Sequence, residues 1–198
     1  MYKRPAMRSA PAAACWRLLV LCLVVVLGAS LPWQAARAAD ASAASVERGV
    51  KAAFLYKFLG YVEFPSQLEA GAPYVVGVAG ADDMVGELNR ISVGRNVNGH
   101  PVMVRTLRDG EPVAGLQLLF IAASEASRTS AWLRAAQQAN VLSVTEGPNG
   151  LQAGGVINFR LVDDRIRFEV SLDAAEKSNL KLSSRLISVA YAVLKGGS

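Results

Sequence analysis

The stretch 154–170 constrains the fold more than any other part of the chain. With Asp163 and Asp164 placed in a two-residue turn, Leu161 faces Ile166, Phe159 faces Phe168 and Ile157 faces Val170. Strand side chains alternate between faces, so these six apolar residues share one face of a β-hairpin. The other face carries Val162 opposite Arg165, Arg160 opposite Arg167 and Asn158 opposite Glu169. A slip of one residue would set arginines against the core, so the pattern fixes the register as well as the element. Asp-Asp is a weaker turn signal than Asn-Gly or Asp-Gly, and it leaves the turn type open.

Around this hairpin, strands alternate with helices. Apolar residues at Val46, Val50, Ala53, Phe54, Phe58, Tyr61 and Val62 form a helical stripe that Pro65 ends. Residues 74–80 read as a buried strand, followed by a short helix over 82–91 capped by Asp82 or Asp83. A turn-rich segment at 94–100 leads into a strand at 101–107, and 116–122 fits a central strand. Ser124 and Ser127 can cap a helix over 127–139, and 141–145 is the next strand. After the hairpin, Asp173 can cap a final helix running to 194, with Leu182, Leu186, Val189, Ala190, Val193 and Leu194 as its stripe. There are no internal repeats and no interdomain linker. The alternation predicts a single-domain α/β fold, a mixed sheet covered by helices with the antiparallel β-hairpin towards the C-terminus.

The chain opens on an address. Lys3, Arg4, Arg8 and Arg17 precede an apolar run at 18–27, and Ala36-Arg37-Ala38 fits a small-x-small cleavage site. That layout describes a cleavable signal peptide over 1–38, and the run is short for a membrane span of roughly 20 apolar residues. Residues 39–45 are expected as a flexible leader, and 46–198 as the folded domain. Five basic residues and no acids lie in the first 38 positions, so the +5 charge of the whole chain falls to zero beyond them. The basic balance therefore belongs to the targeting segment and gives no reason to expect nucleic acid as a partner. Both cysteines, Cys15 and Cys22, also lie in that segment, so the remainder forms no disulfide. It is long enough to build a hydrophobic core without one.

Catalytic chemistry is not legible in the rest. A site needs a base, a nucleophile or a metal-ligand set. Beyond residue 38 there is one histidine, His100, in a glycine-flanked turn, and its neighbours make no transition-metal ligand set. Asp82-Asp83 and Asp163-Asp164 are explained by cap and turn duty. The glycines of the first strand–helix turn, Gly77, Gly80 and Gly86, match no phosphate-binding motif, and two aspartates sit where a phosphate needs positive potential. The expectation is no enzyme, no cofactor and no metal. The hairpin's polar face is more informative. Arg160 opposite Arg167 is a like-charge cross-strand pair, which is destabilising unless something compensates it. Glu169, diagonal to Arg160, offsets it as part of a solvated face, or the face receives an acidic surface or small anion, which arginine recognises well.

Several stretches in order carry a resemblance. They are Val50-Lys51-Ala52-Ala53-Phe54-Leu55-Tyr56-Lys57-Phe58-Leu59-Gly60-Tyr61-Val62-Glu63-Phe64-Pro65, Leu119-Phe120-Ile121 with Ser124-Glu125, Val144-Thr145-Glu146-Gly147, Gly154-Gly155-Val156-Ile157-Asn158-Phe159 with Arg167-Phe168-Glu169-Val170, and Lys181-Leu182-Ser183-Ser184-Arg185-Leu186. Together, over about 46–194, they resemble the YfiR/HmsC family of periplasmic regulators. The resemblance implies an α/β fold without catalytic activity, in the periplasm. It implies that the protein restrains an inner-membrane diguanylate cyclase by binding its periplasmic region, and through it cyclic-di-GMP, exopolysaccharide and biofilm. It further implies an OmpA-like outer-membrane lipoprotein that sequesters the regulator, and a homodimer. Some members are linked to redox control through cysteine pairs, which this chain lacks after residue 38. It also carries Phe64 where the family often has Trp, Ser171 where it often has Asn, and Leu151 where it often has Phe. The partner- or ligand-binding candidates are Tyr56, Glu63, Phe64, Asn158, Arg160, Arg167 and Glu169. The alternative is a periplasmic small-ligand-binding sensory module acting on another membrane receptor.

Overall fold

The computed structural model describes residues 31–65 and 68–195, so the expected signal peptide lies outside the described residues up to position 30. The chain divides between Ser45 and Val46, and the unit from Val46 onward is described by itself. In chain order the elements are α1 (Leu31–Phe58), β1 (Val62–Glu63), β2 (Tyr74–Ala79), α2 (Asp82–Ser92), β3 (Asn96–Val97), β4 (His100–Leu107), β5 (Leu118–Ile121), a single 3-10 turn (Ala123–Glu125), α3 (Thr129–Gln138), β6 (Leu142–Thr145), β7 (Ile157–Val162), β8 (Arg165–Ser171), α4 (Leu172–Lys177), β9 (Lys181–Leu182), α5 (Ser184–Val189) and β10 (Ala192–Leu194).

Eight strands form one mixed sheet in the order β10-β8-β7-β6-β5-β2-β4-β3, and β1 pairs with β9 in a small antiparallel sheet. From β4 through β7 every neighbouring pair is parallel. Such strands are buried on both faces, which is why 118–121 reads as a continuous apolar run; 142–145 is equally buried but carries Ser143 and Thr145. Alternate residues of β5 serve two cores. Leu118 and Phe120 face one that includes Leu55, Phe58, Val76 and Leu88, while Leu119 and Ile121 face one that includes Trp132, Leu133 and Ala136. Helices α1 and α2 thus cover one face and α3 the other, the mixed α/β architecture expected.

The hairpin forms in the expected register, from Ile157↔Val170 to Val162↔Arg165. Asp163 and Asp164 both take left-handed backbone, φ 48° and 54°, the arrangement of a type I′ turn, whose twist suits a two-residue hairpin. Phe159 and Phe168 pack against Phe54 and Phe58 of α1, with ring centroids 5.1–6.1 Å apart.

Residues 39–45 lie within the bounds of α1; they are rich in alanine, the residue with the highest helix propensity. Three local expectations are corrected. The buried stripe of α1 is Ala52, Leu55, Phe58 and Leu59, continued by Val62, whereas Val46 and Val50 are exposed. The stripe is rotated relative to the row of larger side chains, because Phe54 packs only at its edge. Neither Asp82 nor Asp83 caps α2: both lie inside its first turn, where carboxylates favour the positive end of the helix dipole.

The largest correction is at the C-terminus, where the expected single helix is two short helices and two strands. Ser171, not Asp173, caps α4 by accepting from the Ala174 amide. Asn179 then turns left-handed at φ 52° and ends that helix. Ser183 caps a second helix by accepting from the Leu186 amide. Of the stripe expected there, Leu186 alone is buried, while Val189 and Leu194 are exposed.

Candidate functional site

The carboxyl ends of β5 and β6 are tied together by the segment that follows β6. In open α/β sheets this is the end where ligands and partners meet the fold. Asn158, on the hairpin's nominally polar face, is 1% exposed. Its Oδ1 accepts from the Thr145 hydroxyl at 2.8 Å and the Gly147 amide at 3.2 Å, and its Nδ2 donates to the Gly147 carbonyl at 3.0 Å. The structure therefore places this candidate as an internal clamp on the 146–156 connection. Gly150 closes over it: a Cβ there would overlap the Thr145 hydroxyl and the Asn158 side-chain oxygen.

Glu146 anchors the same segment from its other side. Its Oε1 accepts from the Ala123 amide at 3.1 Å and its Oε2 from Lys51 Nζ at 2.6 Å. Lys51 also pairs with Glu47 one turn earlier on α1. Burial disfavours the lysine's charge, but hydrogen bonds and coulombic attraction from Glu146 and Glu47 outweigh it and hold Lys51 above the ordinary lysine range. It is a protonated strut at neutral pH, unsuited to proton transfer.

A recess of about 460 Å³ lies beside this strut. Its apolar wall is Phe159, Leu161 and Ile166 from the hairpin, and its charged side is Glu47, Lys51, Glu146 and Arg160. The exposed Arg160 reaches Glu169 at 3.7 Å, a loose pair whose net worth is small. Arg167 sits opposite it and is exposed, so the like-charge pair is real and Glu169 offsets it in part. Leu161 is 61% exposed although it stands on the apolar face, so that face runs past the cover that α1 provides.

The remaining candidates lie at the other end of the parallel strands. Tyr56 is half-buried and donates to the Asn96 carbonyl at 3.3 Å. Glu63 is exposed on β1, and Phe64 is half-buried with its ring 5.8 Å from that of Tyr74. Glu63 and Phe64 line a second recess together with His100. The seven candidates thus fall into a hairpin group and a group at the exit of α1. Sequence reasoning missed Lys51, Thr145, Glu146 and Gly150 as partners of the hairpin. A lysine directly beside the apolar stripe of α1, and a glutamate directly after a buried strand, were the available signals.

The glycines of the first strand–helix turn make no phosphate cradle. The space beside Gly80, at φ 80°, is taken by the side chains of Ser124 and Glu125, and the Ser124 hydroxyl donates to the Gly80 carbonyl at 2.8 Å. Among the described residues no cluster of three or more His, Cys, Asp or Glu side chains is placed to hold a metal ion, and no helix is long and apolar enough to cross a membrane.

Compared with known families, residues 48–191 match a profile described as YfiR/HmsC-like. Compared with curated proteins, the chain has no match. Among solved structures, it is similar to a conserved domain protein from Vibrio cholerae O1 biovar El Tor strain N16961, at 10% identity and a TM-score of 0.47. That match covers 61% of this chain and 54% of the other, so the chain spans about half the length of the structure it matches.

Proposed function

The chain belongs to the YfiR/HmsC-like family, and from that premise we propose that it represses an inner-membrane diguanylate cyclase by binding the cyclase's periplasmic region. The family is periplasmic and regulatory, and its members act in diguanylate cyclase signalling through the membrane enzyme's periplasmic part. For this chain the reading extends to export by the signal peptide at 1–38 and to control of cyclic-di-GMP, and with it exopolysaccharide and biofilm. It also extends to a homodimer, and to release of the cyclase when an OmpA-like outer-membrane lipoprotein captures the regulator.

The observation that supports a contact surface is the far part of the hairpin. Arg160 and Arg167 stand exposed side by side with one loosely held carboxylate between them, next to exposed Leu161 and the recess against α1. An apolar patch rimmed by arginine suits a protein partner bearing carboxylates, because arginine pairs with them in a fixed fork geometry. Tyr56, Glu63, Phe64, Asn158 and Glu169 then divide between fold and surface. Asn158 supports the hairpin from within, and the others border the two recesses or the strands beside them.

The test is cellular cyclic-di-GMP in a strain lacking the gene. Deletion raises it, complementation with the intact gene restores it, and complementation with Arg160→Glu/Arg167→Glu does not, although that variant is exported and folded. An unchanged level on deletion, under conditions where the protein is expressed, sinks the repressor reading. Normal repression by the double variant removes the hairpin surface from it. The alternative, a sensory module for a small ligand, is favoured by the recess at the carboxyl ends of β5 and β6. A ligand-dependent rise in melting temperature across a metabolite panel is its signature.

A further inference from the structure

The recess at the exit of α1 has a chemistry of its own, independent of the regulatory reading. It measures about 450 Å³ and is lined by Val62, Glu63, Phe64, Leu68, Tyr74, Asn98 and His100. Its construction starts in the turn between β3 and β4. Asn98 and Gly99 both take left-handed backbone, φ 51° and 84°, which is the Asn-Gly type I′ turn, and this sets His100 at the first position of β4. Tyr74 pairs in register with Val102, two residues beyond His100, so the imidazole and the phenol meet on one face of the sheet. Their ring centroids are 4.8 Å apart, and Phe64 extends the row at 5.8 Å from Tyr74.

The histidine's protonation pattern is set by its neighbour. His100 Nδ1 lies 2.7 Å from the Ala72 carbonyl, which has no proton to give, so Nδ1 is the donor. In the neutral ring the lone pair is then on Nε2, and Nε2 is an acceptor. The recess therefore offers a carboxylate from Glu63, an amide oxygen from Asn98, an imidazole lone pair and the faces of aromatic rings. Among the described residues that line it, Glu63 alone carries a charge. Lys181 stands opposite Glu63 in the β1–β9 pair but does not line the recess.

Acceptors and ring faces without a lining cation repel anions and attract cations. One histidine and one carboxylate make too few ligands for a transition metal. A guanidinium group fits best: it is planar, always charged, carries five N–H donors and no acceptor, and stacks on aromatic faces. We propose that this recess binds a guanidinium group, with Glu63 as its ion-pair partner, the half-buried Phe64 as its stacking surface, and His100 Nε2 and Asn98 as further acceptors, while the buried Tyr74 holds the Phe64 and His100 rings in place. The volume lies within the range of about 300–1,000 Å³ usual for small-molecule sites.

The chain holds a single histidine, so the untagged exported protein has one imidazole Hε1 signal to follow by NMR. Titration with arginine amide shifts that signal saturably, and citrulline amide, which replaces the guanidinium by a neutral urea, does not. Glu63 is exposed, so Glu63→Gln leaves the fold intact, and it weakens arginine amide by about tenfold or more. A short peptide with an internal arginine separates two sources of the group. Tighter binding than arginine amide assigns the recess to an arginine of a protein partner, and weaker binding assigns it to a free guanidinium metabolite. No saturable shift up to about 20 mM arginine amide, an equal response to citrulline amide, or undiminished binding by Glu63→Gln each overturns the proposal.

Discussion

The two halves of one hairpin behave as different materials. Near its root, Ile157, Phe159, Phe168 and Val170 are buried against α1, and Asn158 on the opposite face is buried as well. Near its tip the alternation continues unchanged, yet Leu161 is exposed and Arg160 and Arg167 face outward. The pattern of side chains along a strand says which residues share a face. It does not say how far the covering layers reach. Here cover ends where α1 passes Phe159 on one side and where the 146–156 connection passes Asn158 on the other. The root is a core element, and the tip is a platform held out by it.

Substitutions break or sharpen that contrast. Phe168→Ala, at the root, removes a ring that touches both Phe54 and Phe58, and is expected to lower unfolding free energy by about 4 kcal/mol in urea denaturation. A loss below about 1 kcal/mol would mean that the root is no better packed than the tip.

Asn158→Leu keeps the volume but strands the Gly147 amide and carbonyl and leaves the Thr145 hydroxyl only the Ile157 carbonyl at 3.4 Å, for an expected loss of about 2–3 kcal/mol. A neutral result would show that the connection holds its place without the clamp. Lys51→Met leaves Glu146 without its cation, with an expected loss of about 2 kcal/mol at neutral pH. The lysine's folded pKa is raised. Its stabilisation is therefore complete below the ordinary lysine pKa and is lost as pH rises through the folded value. The wild-type advantage over Lys51→Met should be flat from pH 6 to 9 and shrink only in more alkaline solution; loss of that advantage below pH 8 would contradict the strut. At the tip, Leu161→Ser is expected to change stability by less than about 0.5 kcal/mol. A loss comparable to that of Phe168→Ala would show the tip to be covered after all.

How much of this could be read beforehand follows from what each signal depends on. The hairpin's register was legible because the partner of every residue lies a few positions away, on the other side of a two-residue turn. The buried strands β2 and β5 were legible as apolar runs. The C-terminal misreading has the opposite cause. A heptad-like row from Leu182 to Leu194 satisfies helical spacing, but Ser178-Asn179 end the helix before that row begins and Ser183 starts a new one within it, through local hydrogen bonds that periodicity does not register. The Glu146–Lys51 strut and the Asn158 clamp were illegible for a third reason. Lys51 and Glu146 lie 95 positions apart, and Asn158 reaches Thr145 and Gly147 across a connection with no regular pattern, so each half alone looks like an ordinary surface polar residue. Of the seven candidate site residues, Arg160 and Arg167 stand on an exposed face as their alternation predicts. Asn158 does not, because a glycine-bearing connection covers it.

The pairing of Val62 and Glu63 with Leu182 and Lys181 bears on how the chain acquires its structure. The Ser183 amide also donates to the Tyr61 carbonyl at 2.9 Å, so the exit of α1 is held by residues near the far end of the sequence. Contacts of such separation form late and slowly, since a long loop must close before they contribute anything. A chain made from its N-terminus presents α1 long before β9 arrives. Completion of the fold therefore waits for the last part of the chain, and a chain cut short before Lys181 leaves the exit of α1 without its partner strand.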